Sequence, residues 1–178
     1  LRNFSRLDEA KMKPVDIHEG IDSTLMILQH RFRDHGVYSP IEVIKEYGRL
    51  PRVTCYANQL NQVIMNILNN AIDALQQGEE EVGIHAKNFQ LPPPYIRICT
   101  ELADANMARI RIIDNGPGMT QAVLQKIFDP FFTTKPVGSG TGLGLAISYQ
   151  IVVNKHKGQL ICHSSLGEGD RKSTRLNS

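Results

Sequence analysis

The run from Asn58 to Gln77 is the longest helical pattern in the chain and constrains its fold more than any other stretch. Leu60, Val63, Ile64, Ile67, Leu68, Ala71, Ile72 and Leu75 recur at helical spacing. They form a broad apolar face that has to lie against a core, and Gly78 is the expected stop. Asn66, Asn70 and Asp73 interrupt that face at i, i+4 and i+7, so they share one line of the helix. Amides within an apolar stripe cost stability unless they find partners. A neighbouring backbone group would satisfy them. So would a Mg²⁺ ion with phosphates, since that hard ion takes oxygen donors and keeps several waters.

A second stretch, Gly138-Ser-Gly-Thr-Gly-Leu-Gly-Leu145, alternates glycine with small residues and then turns apolar and helical through Leu143, Leu145, Ala146, Ile147 and Ile151. Such a loop takes backbone conformations closed to other residues and approaches a ligand without side chains in the way. Placed before a helix, it aims unpaired N–H groups at an anion. Alone it also suits a Gly/Ser linker. The spacing excludes Gly-x-x-x-x-Gly-Lys, and the alternating glycines never give Gly-x-Gly-x-x-Gly. Eukaryotic-type kinase signatures are absent as well.

Two further stretches carry polar chemistry. Asp114-Asn-Gly-Pro-Gly-Met119 closes a strand, where a carboxylate can accept from a purine amino group while Gly116 and Gly118 let the base lie against backbone; the same string is also an ordinary turn. Phe128-Asp-Pro-Phe-Phe-Thr-Thr-Lys135 places three phenylalanines outside any regular element, as in a lid that packs differently open and closed, or a satellite apolar cluster under a loop. Lys135 would meet phosphate as a point charge.

Around these stretches the chain reads as mixed helix and strand. An extended segment at Lys13 precedes Pro14, and Asp16 caps a helix along Ile17, Ile21, Leu25 and Leu28 that should stop near His35-Gly36. Ile41, Val43 and Lys45 suit a strand, and 79–94 reads as loop with a short strand at 82–87. Tyr95–Leu102 and Ala108–Ile113 form a hairpin. A short helix over 119–128 capped by Thr120, a helix over 143–154 and a strand over 159–164 complete the order. The class is α+β, with helices on one face of a mixed sheet.

Hydrophobic content of 41% and charged content of 21% are those of an ordinary globular domain, and no apolar run approaches the ~20 residues of a spanning helix. The net charge of +2 comes entirely from Asp170, Arg171, Lys172 and Arg175, which argues against a nucleic-acid partner. The three cysteines, Cys55, Cys99 and Cys162, lack metal-ligand spacing and read as core residues in a reducing compartment.

In order and spacing, the four stretches resemble the N, G1, F and G2 boxes of the catalytic and ATP-binding domain of bacterial two-component sensor histidine kinases. These belong to the Bergerat-fold (GHKL) ATPases, with type II topoisomerases and mismatch-repair ATPases. The resemblance covers about Met12 to Gly169, and the Phe-rich box separates histidine kinases from their superfamily relatives. It implies a two-layer α/β sandwich with ATP and Mg²⁺ between the N-box helix and a mobile lid. Asn70 would be the Mg²⁺ ligand, and Asn66, Asn70 and Lys135 the catalytic set. Asp73 would stand beside the phosphates, and Asp114 would read the adenine amino group, with Gly116, Gly118 and Met119 beside the base. Phe128, Thr134, Lys135, Gly138, Gly140, Thr141, Gly142, Leu143 and Gly144 would close over the nucleotide. Asn66 stands where hydrolysing relatives carry a glutamate base; an amide cannot take a proton from water, which favours transfer to a protein over hydrolysis.

The resemblance further implies a phosphate-accepting histidine on a dimeric helical hairpin (the DHp domain), a homodimeric parent, and a response-regulator receiver domain as partner. His18 is followed by an acidic residue, as family acceptors are, but Asp16-Ile17 and Gly20-Ile21 surround it. His30, His35, His85, His156 and His163 have no such context. The acceptor is therefore expected outside this piece, with residues 1–12 ending the second hairpin helix and 13–169 forming the catalytic domain. A cytoplasmic location without direct membrane contact is expected, whether or not the parent is anchored. The alternatives are a nucleotide-gated interaction module without transfer, and a hydrolysing GHKL-type ATPase. At Asp170–Ser178 the chain departs from the family's Thr-x-Phe and closing apolar strand. That string resembles the translation of a sequencing adapter in the frame beginning GAT CGG AAG AGC, and a genuine basic tail is the alternative. The expectation is a non-native tail and a sheet lacking its last strand.

Overall fold

The computed structural model describes residues 11–33, 38–85, 91–135, 142–166 and 169–177. Strand β1 (Lys13–Val15) leads into helix α1 (Ile17–Ile27), whose cap is Asp16: Oδ1 accepts from the His18 N–H at 3.0 Å. The helix ends well before His35, and a separate short helix α2 (Gln29–Phe32) follows. Strands β2 (Glu42–Tyr47) and β3 (Val53–Cys55) precede the long helix α3 (Ala57–His85). The hairpin is β4 (Tyr95–Asp104) with β5 (Met107–Asp114). Helix α4 (Gln121–Leu124), capped by Thr120, helix α5 (Gly144–Tyr149) with its π-helical continuation Gln150–Lys155, and strands β6 (Gln159–Ser165) and β7 (Gly169–Asn177) complete the chain. Residues 1–10 lie outside the description, so the hairpin-helix expectation is not addressed there. No helix among the described residues is long and apolar enough to cross a membrane.

Five strands pair in the order β2-β4-β5-β7-β6, with β2 parallel to β4 and the other pairs antiparallel; β1 and β3 form a separate two-stranded ribbon. Along β5, Ala108, Ile110, Ile112 and Asp114 are buried while Arg109 and Arg111 alternate with them. A sheet with one buried face requires that period of two. The buried face meets Ile21 of α1, Leu68 and Ile72 of α3, and Val152 in a single core. Cys55 is part of it, and burial pushes its thiol up to about 11, as befits a small core residue.

Two expectations are corrected here. First, α3 does not stop at Gly78 but runs on to His85, so the strand expected over 82–87 is in large part helix. Gly78 packs against the turn after β5, where a Cβ would come within 3.1 Å of Pro117 Cδ. Across it, Gln77 donates to Glu81 one turn on, and beyond it Glu79 accepts from the Ser39 N–H at 3.0 Å. Tertiary contacts thus override the glycine's propensity to end a helix. Second, the sheet does not lack its last strand: β7 lies between β5 and β6 and pairs with both. In register, Thr174 faces Ile110 and Leu160, and Lys172 faces Ile112 and Cys162. Strand pairing needs only backbone N–H and C=O groups, so a string without apolar alternation completes the ladder.

One polar joint fixes the start of α3. His156 is 6% exposed; its Nε2 accepts from the Tyr56 N–H at 3.0 Å, and its Nδ1 therefore donates to the Ile151 carbonyl at 2.8 Å. Replacing His156 by alanine leaves that part-buried N–H without its partner, and a loss of about 1–3 kcal/mol is expected. The check is urea unfolding: the midpoint should fall at unchanged slope, and an unmoved midpoint would contradict the joint.

Candidate functional site

The polar line of α3 forms one wall of the site, and three other segments converge on it. Asn66 uses its Nδ2 to donate to the Gly144 carbonyl at 3.0 Å and to Ser148 Oγ at 3.2 Å. The first turn of α5 is thereby tied to the middle of α3. This meets the backbone-partner expectation for an amide in an apolar stripe and leaves the amide oxygen as an acceptor. Asn70 lies one turn further along the same line, half-buried.

Asp73, near one end of that line, is held from two sides. Its Oδ1 accepts from Arg31 Nη2 at 2.7 Å, and its Oδ2 is paired with Lys135 Nζ. Lys135 thus reaches α3 from the Phe-rich segment, and its partner there is a carboxylate. Thr134 beside it is exposed.

The turn after β5 packs against the C-terminal half of α3. Asp114, the last residue of β5, is 3% exposed, and its Oδ1 accepts from the Gly116 N–H at 2.9 Å. A Cβ on Gly116 would come 2.9 Å from that oxygen and 3.4 Å from Ala74, so only glycine lets the turn lie flat on the helix here. Gly118 follows with φ +77°. The Met119 N–H donates to Ser164 Oγ at 2.8 Å, fixing the turn to β6. Asn115 staples the turn's outer side, accepting from the Tyr95 N–H at 2.8 Å and donating to the Pro93 carbonyl at 3.0 Å.

The Phe-rich segment divides between core and solvent. Phe128 packs against the core and lies 5.5 Å from the Tyr149 ring, whereas Phe131 is 74% exposed. A cavity of about 600 Å³ runs beneath, lined by Gln59, Phe128, Leu143, Ala146, Tyr149 and Ile151 among others. Gly142 has φ +69°, and a Cβ there would fall 2.3 Å from the Phe131 carbonyl carbon, so this glycine lies directly against the backbone of the Phe-rich segment. Leu143 precedes α5. Gly138, Gly140 and Thr141 lie outside the described residues.

Asn66, Asn70, Asp73, Lys135, Gly142 and Gly144 therefore gather on one side of α3, with Asp114, Gly116, Gly118 and Met119 toward its C-terminal half. Sequence reasoning missed Arg31, Asn69, Gln76, Asn115 and Ser148. Asn115 lies inside a stretch already singled out; Arg31 belongs to no motif, and only the packing of α2 on α3 brings it in. His18 has a structural environment, with Nε2 2.7 Å from Thr100 Oγ1 and its ring stacked on Tyr47 at 4.3 Å.

The family described as histidine kinase-, DNA gyrase B-, and HSP90-like ATPase matches residues 55–177. The two-component sensor PprA of Pseudomonas aeruginosa is 33% identical over 93% of this chain and 16% of its own length. The signal transduction histidine-protein kinase AtoS of Escherichia coli is 34% identical over 95% of this chain and 24% of its own. The chain thus spans less than a quarter of these relatives. Among solved structures, the nucleotide-free catalytic domain of histidine kinase ThkA superposes with a TM-score of 0.73 at 23% identity, covering 94% of this chain and 97% of that one. ThkA in complex with response regulator protein TrrA matches with a TM-score of 0.70 at 21% identity, covering 93% of this chain and 41% of that one.

Proposed function

This chain belongs to the histidine kinase-, DNA gyrase B-, and HSP90-like ATPase family, and on that premise we propose that it binds ATP along the polar line of α3 and donates the γ-phosphoryl group to a histidine on a dimeric helical hairpin. The observation that carries this reading is the convergence on α3 of the Asp114 turn, Lys135 and the Gly142–Gly144 segment, each through a named contact.

Each residue has a task in that reaction. The buried Asp114 carboxylate accepts from the purine amino group, and the glycine turn lies against the base. Lys135 exchanges Asp73 for phosphate and steadies the charge of the transferring group. The residues also fit Mg²⁺: the amide oxygens of Asn70 and Asn66 are hard donors, and the Asn66 oxygen is left as an acceptor because its nitrogen is committed to α5. Asn70 would hold the ion, with Asn66 beside it, and the ion would supply charge neutralisation at the phosphates. Transfer breaks the bond between the γ-phosphorus and the β,γ-bridging oxygen and forms a bond to an imidazole nitrogen, and ADP leaves. Positioning and electrostatics supply nearly all of the catalysis in such a step. A response-regulator aspartate would receive the group next; the similarity to the two-component sensor PprA and to ThkA, whose structure is a complex with the response regulator TrrA, supports this.

Incubation with γ-labelled ATP tests this reading. The chain alone should gain no acid-labile phosphate, and a separately supplied hairpin from its parent protein should become labelled. Label on the chain itself, or steady ADP release without an acceptor, would contradict it.

A further inference from the structure

We propose that Arg31 is a positioning residue for the phosphate end of this site: it holds Asp73 charge-compensated, so that Lys135 can leave that carboxylate for the nucleotide's phosphates. The inference rests on the nucleotide reading above but concerns a residue outside all four motifs.

The geometry is specific. Arg31 sits on α2, which is offset from α1 by the break at Leu28. From there its guanidinium spans two turns of α3, with Nη1 donating to Asn69 Oδ1 at 2.8 Å and Nη2 to Asp73 Oδ1 at 2.7 Å and Gln76 Oε1 at 3.2 Å. Three acceptors on one helix face hold the planar fork more firmly than a single ion pair would. The arrangement leaves Asp73 Oδ2 for Lys135.

One carboxylate thus carries two cations, and the two differ in how they are held. Arg31 has two further acceptors on α3 that anchor it, whereas Lys135 meets Asp73 through the terminal amine of a long side chain on a largely exposed segment. A polyphosphate arriving at α3 competes with Asp73 for Lys135. With Arg31 in place, the carboxylate that Lys135 leaves behind stays paired and does not confront the phosphates as a bare negative charge. Without Arg31, Asp73 grips Lys135 harder and repels the incoming anion once Lys135 departs. Both effects fall on the phosphates and neither on the base.

The test compares Mg-AMPPNP with adenosine by calorimetry on the full chain, in the unsubstituted protein and in Arg31→Gln, Arg31→Lys and Arg31→Gln/Asp73→Asn. Arg31→Gln should weaken Mg-AMPPNP about tenfold and leave adenosine unchanged. Arg31→Lys should retain most of the affinity. The added Asp73→Asn should recover at least half of the logarithmic loss, because it removes the uncompensated charge. An equal loss of both ligands in Arg31→Gln, or no recovery in the double variant, would overturn the role of Arg31. If Arg31→Gln does not fold, the lysine variant decides: a tenfold selective loss with the charge retained would overturn the proposal. If the unsubstituted, folded chain binds neither ligand, the nucleotide reading itself falls, and this role with it.

Discussion

Phosphoryl transfer to an added hairpin should drop by roughly 100- to 1,000-fold when Asn70 is replaced by alanine, the loss seen when one preorganised stabilising group is removed from a reacting centre. Asn70 stands one turn beyond Asn66 on the half-buried line of α3. It is not needed to tie α5 to α3, since Asn66 does that with both of its donor bonds. Folding should therefore survive, and alanine is the better helix former. The thermal midpoint should stay within a few degrees while single-turnover transfer collapses. Unaltered transfer in a folded Asn70→Ala protein would remove the metal role assigned to this residue. Transfer and stability falling together would instead make it a packing residue.

Asp114→Asn should weaken adenine nucleotides by roughly 30- to 150-fold, about 2–3 kcal/mol. The side chain is buried at the end of β5, and one of its oxygens accepts from the Gly116 N–H. Asparagine keeps a carbonyl oxygen for that bond and so preserves the turn. It replaces the other oxygen with an NH₂ group, which confronts the purine amino group donor to donor. A site built around a buried acceptor discriminates strongly against a mismatched partner, because both groups are then left unpaired. Equilibrium binding of ADP to the two proteins checks this, and equal affinities would exclude Asp114 as the base-reading group.

The parts of this molecule legible in the sequence are those where local pattern and tertiary demand agree. The alternation of β5 and the apolar stripe of α3 state which face is buried, and the structure uses those faces. Asp16 and Thr120 cap helices where side-chain chemistry places them. The failures share a cause: a long-range contact outweighed a local rule. Gly78 would end an isolated helix, but Pro117 packs against it and α3 continues. β7 carries Lys172 and Thr174 at positions paired with buried isoleucines, so no apolar period announces it; its partners β5 and β6 define it. Within the site, the motif residues were legible because glycines and amides in unusual settings are visible as such. Arg31 was not, because an arginine on an amphipathic helix looks like a solvated face until α2 is seen against α3.

Calorimetric titration of the folded chain with a magnesium complex of a non-hydrolysable ATP analogue bears most directly on the assignment of α3 and its surrounding turns as a nucleotide site. Saturable binding at one site per chain, weakened by Asp114→Asn, is the expected result. Absence of heat at any accessible concentration, in protein that melts cooperatively, would contradict it.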